Sequence, residues 1–400
     1  ATDAGREGEL VARWILDKAH NQKPCKRLWI SSVTDKAIRE GFASLKDAKE
    51  YDNLYRAAVS RAEADWLVGI NATRALKCKY NAQLSCGRVQ TPTLAMIAQR
   101  EQEIREFVPK PYYTVTAAAG GAVYTWKDEK SGGTRISDPE KAKQIAEKAK
   151  RYPLVLQKVE KKKKQKEAPL LYDLTELQRD ASARFGYSAK QTLNLMQSLY
   201  ETHKVLTYPR TDSRYLTKDI VPTLKERLDA VSIGPYKTLA QQAKRRPLKE
   251  KPGFVNDAKV SDHHAIIPTM ELAKTDLAAL PESEKNILTL AGARLLMATT
   301  APHTFEAVTA VFECAGQSFT ARGKTVLFDG WKEIDRRYRA ALKNKPEADD
   351  ADSDTGKTLP PFVEGQTFEN PAAMVTGHDT TPPKPHNEAS LLSAMERAGS

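Results

Sequence analysis

The sequence is short of several things, and each shortage removes a class of function. Its four cysteines, Cys25, Cys78, Cys86 and Cys314, form no Cys-x-x-Cys pair. Neither a zinc ribbon nor a disulfide framework is implied, and reduced, mostly buried thiols are expected. No run approaches the ~18 apolar residues that cross a bilayer, and the start of the chain lacks a basic-then-apolar signal pattern. An intracellular protein with no membrane association is expected. Gly5 and Gly8 do not make a nucleotide loop, because Gly-x-x-Gly lacks the spacing and the Gly-Lys-Ser/Thr ending of a P-loop, so no ATP requirement follows. There is no initiator Met before Ala1, and the chain stops at Ser400 just after an amphipathic helical pattern, which reads as an internal fragment.

What is present is positive charge. Lys and Arg number 63 against 51 acids, a net +12, which favours an anionic partner such as nucleic acid. Four hundred residues exceed one ordinary core, so roughly two to three domains are expected.

Helical and strand periods divide the chain. Leu10, Val11, Trp14 and Ile15 recur at helical spacing just after Asp3-Ala4-Gly5-Arg6-Glu7-Gly8-Glu9, which puts the acids at the turn leading into that helix. Leu28-Trp29-Ile30 reads as a buried strand, and residues 57–75 as a helix carrying Arg61, Glu63, Asp65, Trp66 and Arg74. Residues 112–119 and 123–126 alternate around Gly120-Gly121, a hairpin signal. The lysine run 161–164, beside Lys158 and Lys166, reads first as a solvated linker and second as a phosphate contact. Capping-box patterns at Thr175-Glu176-Leu177-Gln178 and Ser188-Ala189-Lys190-Gln191, with Gly186 between them as a helix stop, predict two short helices. The second turns Leu193, Met196 and Leu199 inward and is followed by Val205-Leu206, the helix-turn-helix-then-strand order of a winged-helix module. Further helices are expected at 215–230 and 281–297, strands at 308–312 and 318–321, and a solvated acidic loop at 347–354.

Leu206-Thr207-Tyr208-Pro209-Arg210-Thr211-Asp212-Ser213 offers the sharpest chemistry. Tyr208 is the candidate nucleophile: a free phenol has a pKa near ~10, so something nearby must favour the phenolate or the charge its attack creates. Residues two apart in an extended segment share a face, so the Arg210 guanidinium can bond the non-bridging oxygens of a phosphate under attack. Pro209 argues against a central strand and leaves an edge or loop open to substrate. The plainer reading makes Tyr208 a half-buried tyrosine at a strand end. Asp3, Glu7 and Glu9 gather hard oxygen donors that suit Mg2+, which is often held by one or two carboxylates. The same spacing suits Asp3 as a helix cap with the glutamates at the positive end of the dipole. Ser85-Cys86-Gly87-Arg88-Val89-Gln90-Thr91-Pro92-Thr93 presents an arginine that could grip phosphate or close an internal ion pair. Asp262-His263-His264-Ala265-Ile266-Ile267-Pro268-Thr269 sets two histidines before an apolar turn, suited to donating to a phosphate or shuttling a proton, with metal ligation as the rival.

Those four motifs, at 3–9, 85–93, 206–213 and 263–269, stand together as they do in the type IA DNA topoisomerases, and the chain resembles that family, nearest its bacterial topoisomerase III group. Asp-Trp-Leu-Val-Gly-Ile-Asn-Ala-Thr-Arg at 65–74, and Thr381-Pro382-Pro383 followed by 391–396, are similar to the family too. The resemblance implies a multidomain α/β and α+β toroid. Residues 1–50 would be the C-terminal part of a Toprim domain, 51–108 the first part of a helical base, and 109–165 the first part of a β-rich gate. Residues 166–298 would be a winged-helix-like module bearing the tyrosine, 299–375 the second part of the gate, and 376–400 the return to a truncated base.

The resemblance also implies ATP-independent cleavage and religation of single-stranded DNA through a 5′-phosphotyrosine, with strand passage that relaxes or decatenates DNA. Tyr208, Arg210, His263 and Glu7 would then take catalytic positions, and Asp3 and Glu7 the Mg2+ positions. Arg6, Arg61, Arg88, Gln90, Thr211, Asp212, Ser213 and His264 would contact DNA. Single-stranded, negatively supercoiled or catenated DNA would be the partner of a monomer in the bacterial cytoplasm, associated with nucleoid or plasmid, with a helicase as a further partner. One departure stands out: many members have Asp-x-Asp where this chain has Asp3-Ala4-Gly5, so metal ligation leans on Asp3, Glu7 and a residue outside the motif. The family's first Toprim strand would precede Ala1, and most of the base would follow Ser400. Two competing readings are a Toprim nuclease or primase, with Tyr208 incidental, and a single-stranded DNA-binding fragment without catalysis.

Overall fold

The computed structural model describes residues 2–232, 237–238, 240–241, 253–341, 358–363 and 365–398. The chain opens with helix α1 (Arg6–Lys18), then strand β1 (Lys26–Arg27), helix α2 (Asp35–Ala43) and strand β2 (Lys46–Asp47), the two strands pairing antiparallel. Residues 28–30, expected as a buried strand, are half-buried and outside any strand. The ladder lies one step earlier, where Arg27 buries its guanidinium against Glu9; that ion pair fixes the segment more tightly than apolar side chains with no strand opposite them. Two long helices follow, α3 (Asp52–Tyr80) and α4 (Gln90–Arg105), the first containing the expected 57–75 helix.

Period-two alternation builds one large sheet. The Gly120-Gly121 hairpin joins β3 (Pro111–Ala119) to β4 (Ala122–Lys127), helix α5 (Pro139–Arg151) follows, and β5 (Leu154–Lys166) carries the lysine run. The run is therefore a strand and not a linker, because every residue from Lys161 to Lys164 is in register with β6, defined below. Pairing satisfies its backbone while the ammonium groups stay in water, and lysines on an exposed ladder also discourage edge-to-edge association.

Between the two halves of the sheet lies a helical module. It begins with α6 (Leu174–Phe185) and α7 (Ala189–Glu201), the expected short pair. Ser188 caps the second, accepting from Gln191 N–H, and Gly186 closes the first in the left-handed region at φ 69°. The cap of α6 is Asp173, which accepts from Glu176 N–H at 2.7 Å, and not Thr175; a carboxylate one step outside the helix competes better for that amide than a hydroxyl inside it. After α7 there is only an isolated bridge from Leu206 to Pro268 where a strand was expected. The helix expected at 215–230 starts late, as a 3-10 turn at Lys218–Thr223 followed by α8 (Leu224–Ala230), because Leu216 N–H is already spent on Phe254 O at 2.8 Å. Helix α9 (Glu282–Ala298) runs through the module's core, where Leu177, Met196, Leu199, Leu206, Ile266, Ile267 and Leu295 are all buried.

The chain then returns to the sheet with β6 (His303–Cys314) and β7 (Gln317–Phe328), adds helix α10 (Trp331–Ala341) and ends through β8 (Thr367–Phe368), β9 (Ala372–Asp379) and helix α11 (Glu388–Arg397). The strand order is β8-β5-β6-β7-β4-β3-β9, antiparallel throughout. Early and late strands thus interleave, so the helical module is an insertion in the sheet's sequence. Strand β9 runs on past the boundary expected at 375. The sheet's own core packs Tyr124 at a tilt against Phe312, ring centroids 4.5 Å apart, and takes Ile145 and Ala146 from α5. Each such large apolar side chain contributes roughly 1.5–3 kcal/mol of burial. The acidic stretch 347–354 lies outside the described residues. Of the four free thiols only Cys314 is buried; Cys25 and Cys86 are half-buried and Cys78 is exposed, against the expectation of mostly buried thiols. Among the described residues no helix is long and apolar enough to cross a membrane.

Candidate active site

Two segments far apart in sequence are zipped together by their backbones. Thr207 N–H donates to Ile267 O at 3.0 Å, Thr269 N–H to Val205 O at 2.9 Å, and Thr211 Oγ1 to His263 O at 2.7 Å. Burial alternates along the tyrosine segment, with Arg210 and Asp212 exposed and Thr211 and Ser213 buried, as an extended chain requires. The two buried hydroxyls serve the fold: Ser213 Oγ donates to Lys259 O at 2.8 Å, while exposed Asp212 accepts from Ser261 Oγ at 2.9 Å. Of the three residues expected at DNA here, only Asp212 faces outward.

The zip sets the Tyr208 ring 4.1 Å from the His263 ring, with Tyr200 edge-on at 5.4 Å. Tyr208 is half-buried, and its pKa is raised, first by that burial and then by the charge of Asp3, with Arg210 opposing. Of the two expected ways to help this phenol, favouring the resting phenolate or favouring the charge its attack creates, the first is not what its surroundings do. Desolvation outweighs the cation, so Tyr208 rests as a neutral phenol and must lose its proton as it attacks. Arg210 is exposed and makes no hydrogen bond or ion pair with any described residue, so its fork is free for a ligand. His263 Nε2 lies 3.5 Å from Asp3 Oδ1, within charge-pairing range, yet this buried nitrogen makes no hydrogen bond. The nitrogen's hydrogen-bonding capacity is unspent. His264 differs from its neighbour. Its Nδ1 donates to the Ala265 carbonyl at 2.8 Å, and burial lowers its pKa to about 4. A neutral imidazole committed to its own backbone gives no support to the DNA contact expected of it.

The acidic motif at 3–9 divides its labour. Gly5 is the N-cap of α1 with no side-chain cap, so Asp3 does not cap the helix. Glu9 is 1% exposed and accepts from Arg27 Nε and Arg13 Nε, each at 2.7 Å. Its charge is consumed inside the protein, which removes it from the expected trio of metal donors. Arg27 Nη2 reaches on to Asp3 O at 3.1 Å and so anchors the backbone that carries Asp3. Gly8 permits that approach, because a Cβ there would sit 2.1 Å from Asp3 O. Asp3 and Glu7 remain open to solvent, their side chains 56% and 64% exposed, and Glu7 accepts from Arg61 Nη1 at 2.8 Å. Among the described residues no group of three or more His, Cys, Asp or Glu is arranged to hold a metal. Two exposed hard-oxygen donors fit Mg2+ as a water-rich site, and a Cβ at Gly5 would fall on the Asp262 carboxylate, which places another acid at the same spot.

Beside Glu7 opens a cleft of about 480 Å3 lined by Arg6, Arg61, Ala64, Asp65, Val68 and Arg88. The structure thus brings together three arginines expected at DNA from three separate segments. Arg88 Nε pairs with Asp65 at 2.6 Å and Arg61 with Glu7, so both are positioned before any phosphate arrives. Gln90 instead donates to Ser85 Oγ at 3.3 Å within its own loop. Tyr208 does not line this cleft.

Sequence reasoning missed Asp219. Its carboxylate accepts from Ser32 Oγ and Thr34 Oγ1, each at 2.6 Å, tying the N-terminal segment to the tyrosine module. Burial pushes its pKa up, but the hydrogen bonds from Ser32 and Thr34 outweigh that and hold it below the usual range. No local pattern marks an aspartate whose partners lie more than 180 residues away.

Comparison with known proteins bears on the family and the fold. Residues 49–399 match a family model described as DNA topoisomerase. DNA topoisomerase 3 of Bacillus subtilis (strain 168) is 52% identical over 396 residues, covering 99% of this chain and 53% of that protein. The protein of the same name from Bacillus licheniformis is likewise 52% identical over 396 residues. The chain spans about half the length of the curated relatives it matches. Full-length topoisomerase I from Thermotoga maritima, at 24% identity, shares the fold with a TM-score of 0.69 over 99% of this chain and 62% of that one.

Proposed function

The chain belongs to the type IA DNA topoisomerases, and from that premise we propose that its site cuts and rejoins one DNA strand through Tyr208. The observation that carries the proposal is the cluster of a neutral, half-buried phenol packed at a tilt against His263, beside an uncommitted Arg210 and within the field of Asp3. The Tyr208 oxygen attacks phosphorus, a Tyr–O–P bond forms, and the P–O3′ bond breaks. The phenol gives up its proton and the departing 3′ oxygen gains one, so charge balances over the step. One phosphodiester replaces another, and religation is the same step reversed, which is why no ATP is needed.

Each neighbour has a role in that exchange. The Arg210 fork meets the charge growing on the non-bridging oxygens, where a preorganised donor is worth most. His263 donates from its unspent Nε2 to the same phosphate. The Arg6, Arg61 and Arg88 cleft holds the backbone of the strand away from the reacting bond. Mg2+, held by Asp3 and Glu7, would supply positive charge against the DNA backbone when bound. Strand passage follows if the tyrosine module parts from the N-terminal segment while the link persists. Negatively supercoiled or catenated DNA, a monomeric working form in the bacterial cytoplasm near nucleoid or plasmid, and a helicase partner complete the proposal.

The test is SDS-stable attachment of a labelled single-stranded oligonucleotide to the protein. Attachment in the wild type and its loss in Tyr208→Phe are expected. Cleavage that persists in Tyr208→Phe would instead favour a metal-dependent nuclease, and binding without any attachment a single-strand-binding module.

A further inference from the structure

The acid that position 5 lacks stands on a distant segment. A Cβ built at Gly5 would lie 2.1 Å from Asp262 Oδ2 and 2.3 Å from its Cγ and Oδ1. The Asp262 carboxylate therefore occupies the space that a side chain at position 5 would fill, on the turn that carries Asp3 and Glu7. That carboxylate is half-buried, and no described residue gives it a hydrogen bond or an ion pair. Every other partly buried acid around the site has such a partner: Glu9 has Arg27 and Arg13, and Asp219 has Ser32 and Thr34. Only the charges of His263 and Arg6 offset its burial and the repulsion of Asp212 and Asp3, and neither bonds it, so a partly desolvated carboxylate pressed against an acidic turn gains from a further positive group. Its chain neighbour His263 already faces Asp3 at 3.5 Å, so the zip that aligns the histidine also delivers Asp262.

We propose that Asp262 supplies the third carboxylate of the divalent-cation site, in place of a side chain at position 5. This rests on the reading of Asp3 and Glu7 as metal donors. Among the described residues the three acids do not already stand as a ligating group, so the proposal requires Asp262 to close on Asp3 and Glu7 when a cation binds. Glycine at position 5 is then a steric requirement of the substitution, since any side chain there would expel Asp262.

The experiment titrates Mn2+ into the full-length protein without DNA and reads free Mn2+ by electron paramagnetic resonance. Asp262→Asn, which keeps shape and loses charge, is expected to weaken Mn2+ binding on the order of 10- to 100-fold. Placing Gly5→Asp on an Asp262→Gly background is expected to tighten binding again relative to Asp262→Gly alone, which a merely unfolded variant cannot do. Wild-type affinity in Asp262→Asn, or no recovery in the double variant, overturns the proposal. Asp3→Asn separates the two levels: if it also binds normally, the underlying metal assignment fails, whereas if it alone loses affinity, only the role of Asp262 fails.

Discussion

Arg210→Ala isolates the electrostatic core of the proposed reaction. Arg210 is exposed and engages no described residue, so its removal leaves no buried partner stranded, and stability should change by no more than about 0.5 kcal/mol. In the DNA-bound ground state an exposed arginine on a phosphate is worth roughly 0.2–1 kcal/mol, at most about a fivefold loss of affinity. In the transition state the same fork faces concentrated charge beside a desolvated phenol, where losing one donor costs about 2.7–4 kcal/mol, or 10²- to 10³-fold in rate. The pH profile carries a second signature. Burial and Asp3 raise the Tyr208 pKa while Arg210 lowers it, so cleavage should rise with pH through 10 in the wild type, and the rise should move to still higher pH in the variant. Arg210→Lys keeps the charge without the bidentate fork and should fall between the two. The assay is single-turnover formation of the covalent adduct, with oligonucleotide affinity measured separately by fluorescence anisotropy. Equal losses of rate and affinity would refute the reasoning and leave Arg210 a simple phosphate clamp.

Three further outcomes are expected. The folded state lowers the His264 pKa from 6.5 to about 4, so it prefers the neutral ring; its stabilisation is complete above pH 6.5 and is lost as pH falls through 4. That loss is on the order of 3 kcal/mol, and urea melts of His264→Gln between pH 7 and 4 should show a smaller decline than the wild type. Asp219→Ala strands the hydroxyls of Ser32 and Thr34 at a cost of about 1–3 kcal/mol. Hydrogen exchange should then speed at the Ala37 amide, which Thr34 caps, while adduct formation through Tyr208 continues; unchanged protection would remove the latch. Glu9→Ala leaves Arg27 buried without its carboxylate and should cost roughly 3–5 kcal/mol, read as a fall in Tm. A variant that melts like the wild type would show that the pair is not needed for the fold.

What the sequence revealed follows the range of the interactions involved. The capping serine at 188, the stop at Gly186 and the Gly120-Gly121 hairpin are local, and local chemistry dictates them. The lysine run misled because composition speaks for solvation and is silent about a partner strand: its partners in β6, Phe305 to Val308, lie far downstream in the sequence. Leu28-Trp29-Ile30 misled for the reverse reason, since apolar residues marked a strand where none of the described residues pairs with it. At the site, motif residues were legible and their division of labour was not. Glu9 looks like Glu7 in sequence, and only Arg13 and Arg27 folding onto it separate a buried ion pair from an open donor. Nothing local in the histidine motif marks Asp262, because only the fold brings its carboxylate against the missing Cβ of Gly5.

The central claim is that the Tyr208 oxygen becomes bonded to a DNA phosphorus. Proteolysis of the SDS-trapped adduct followed by tandem mass spectrometry locates the modified residue directly. Nucleotide mass on the peptide containing Tyr208, attached through its 5′ phosphate, is the predicted result. Attachment at another residue, or strand cleavage with no modified peptide at all, would contradict the account.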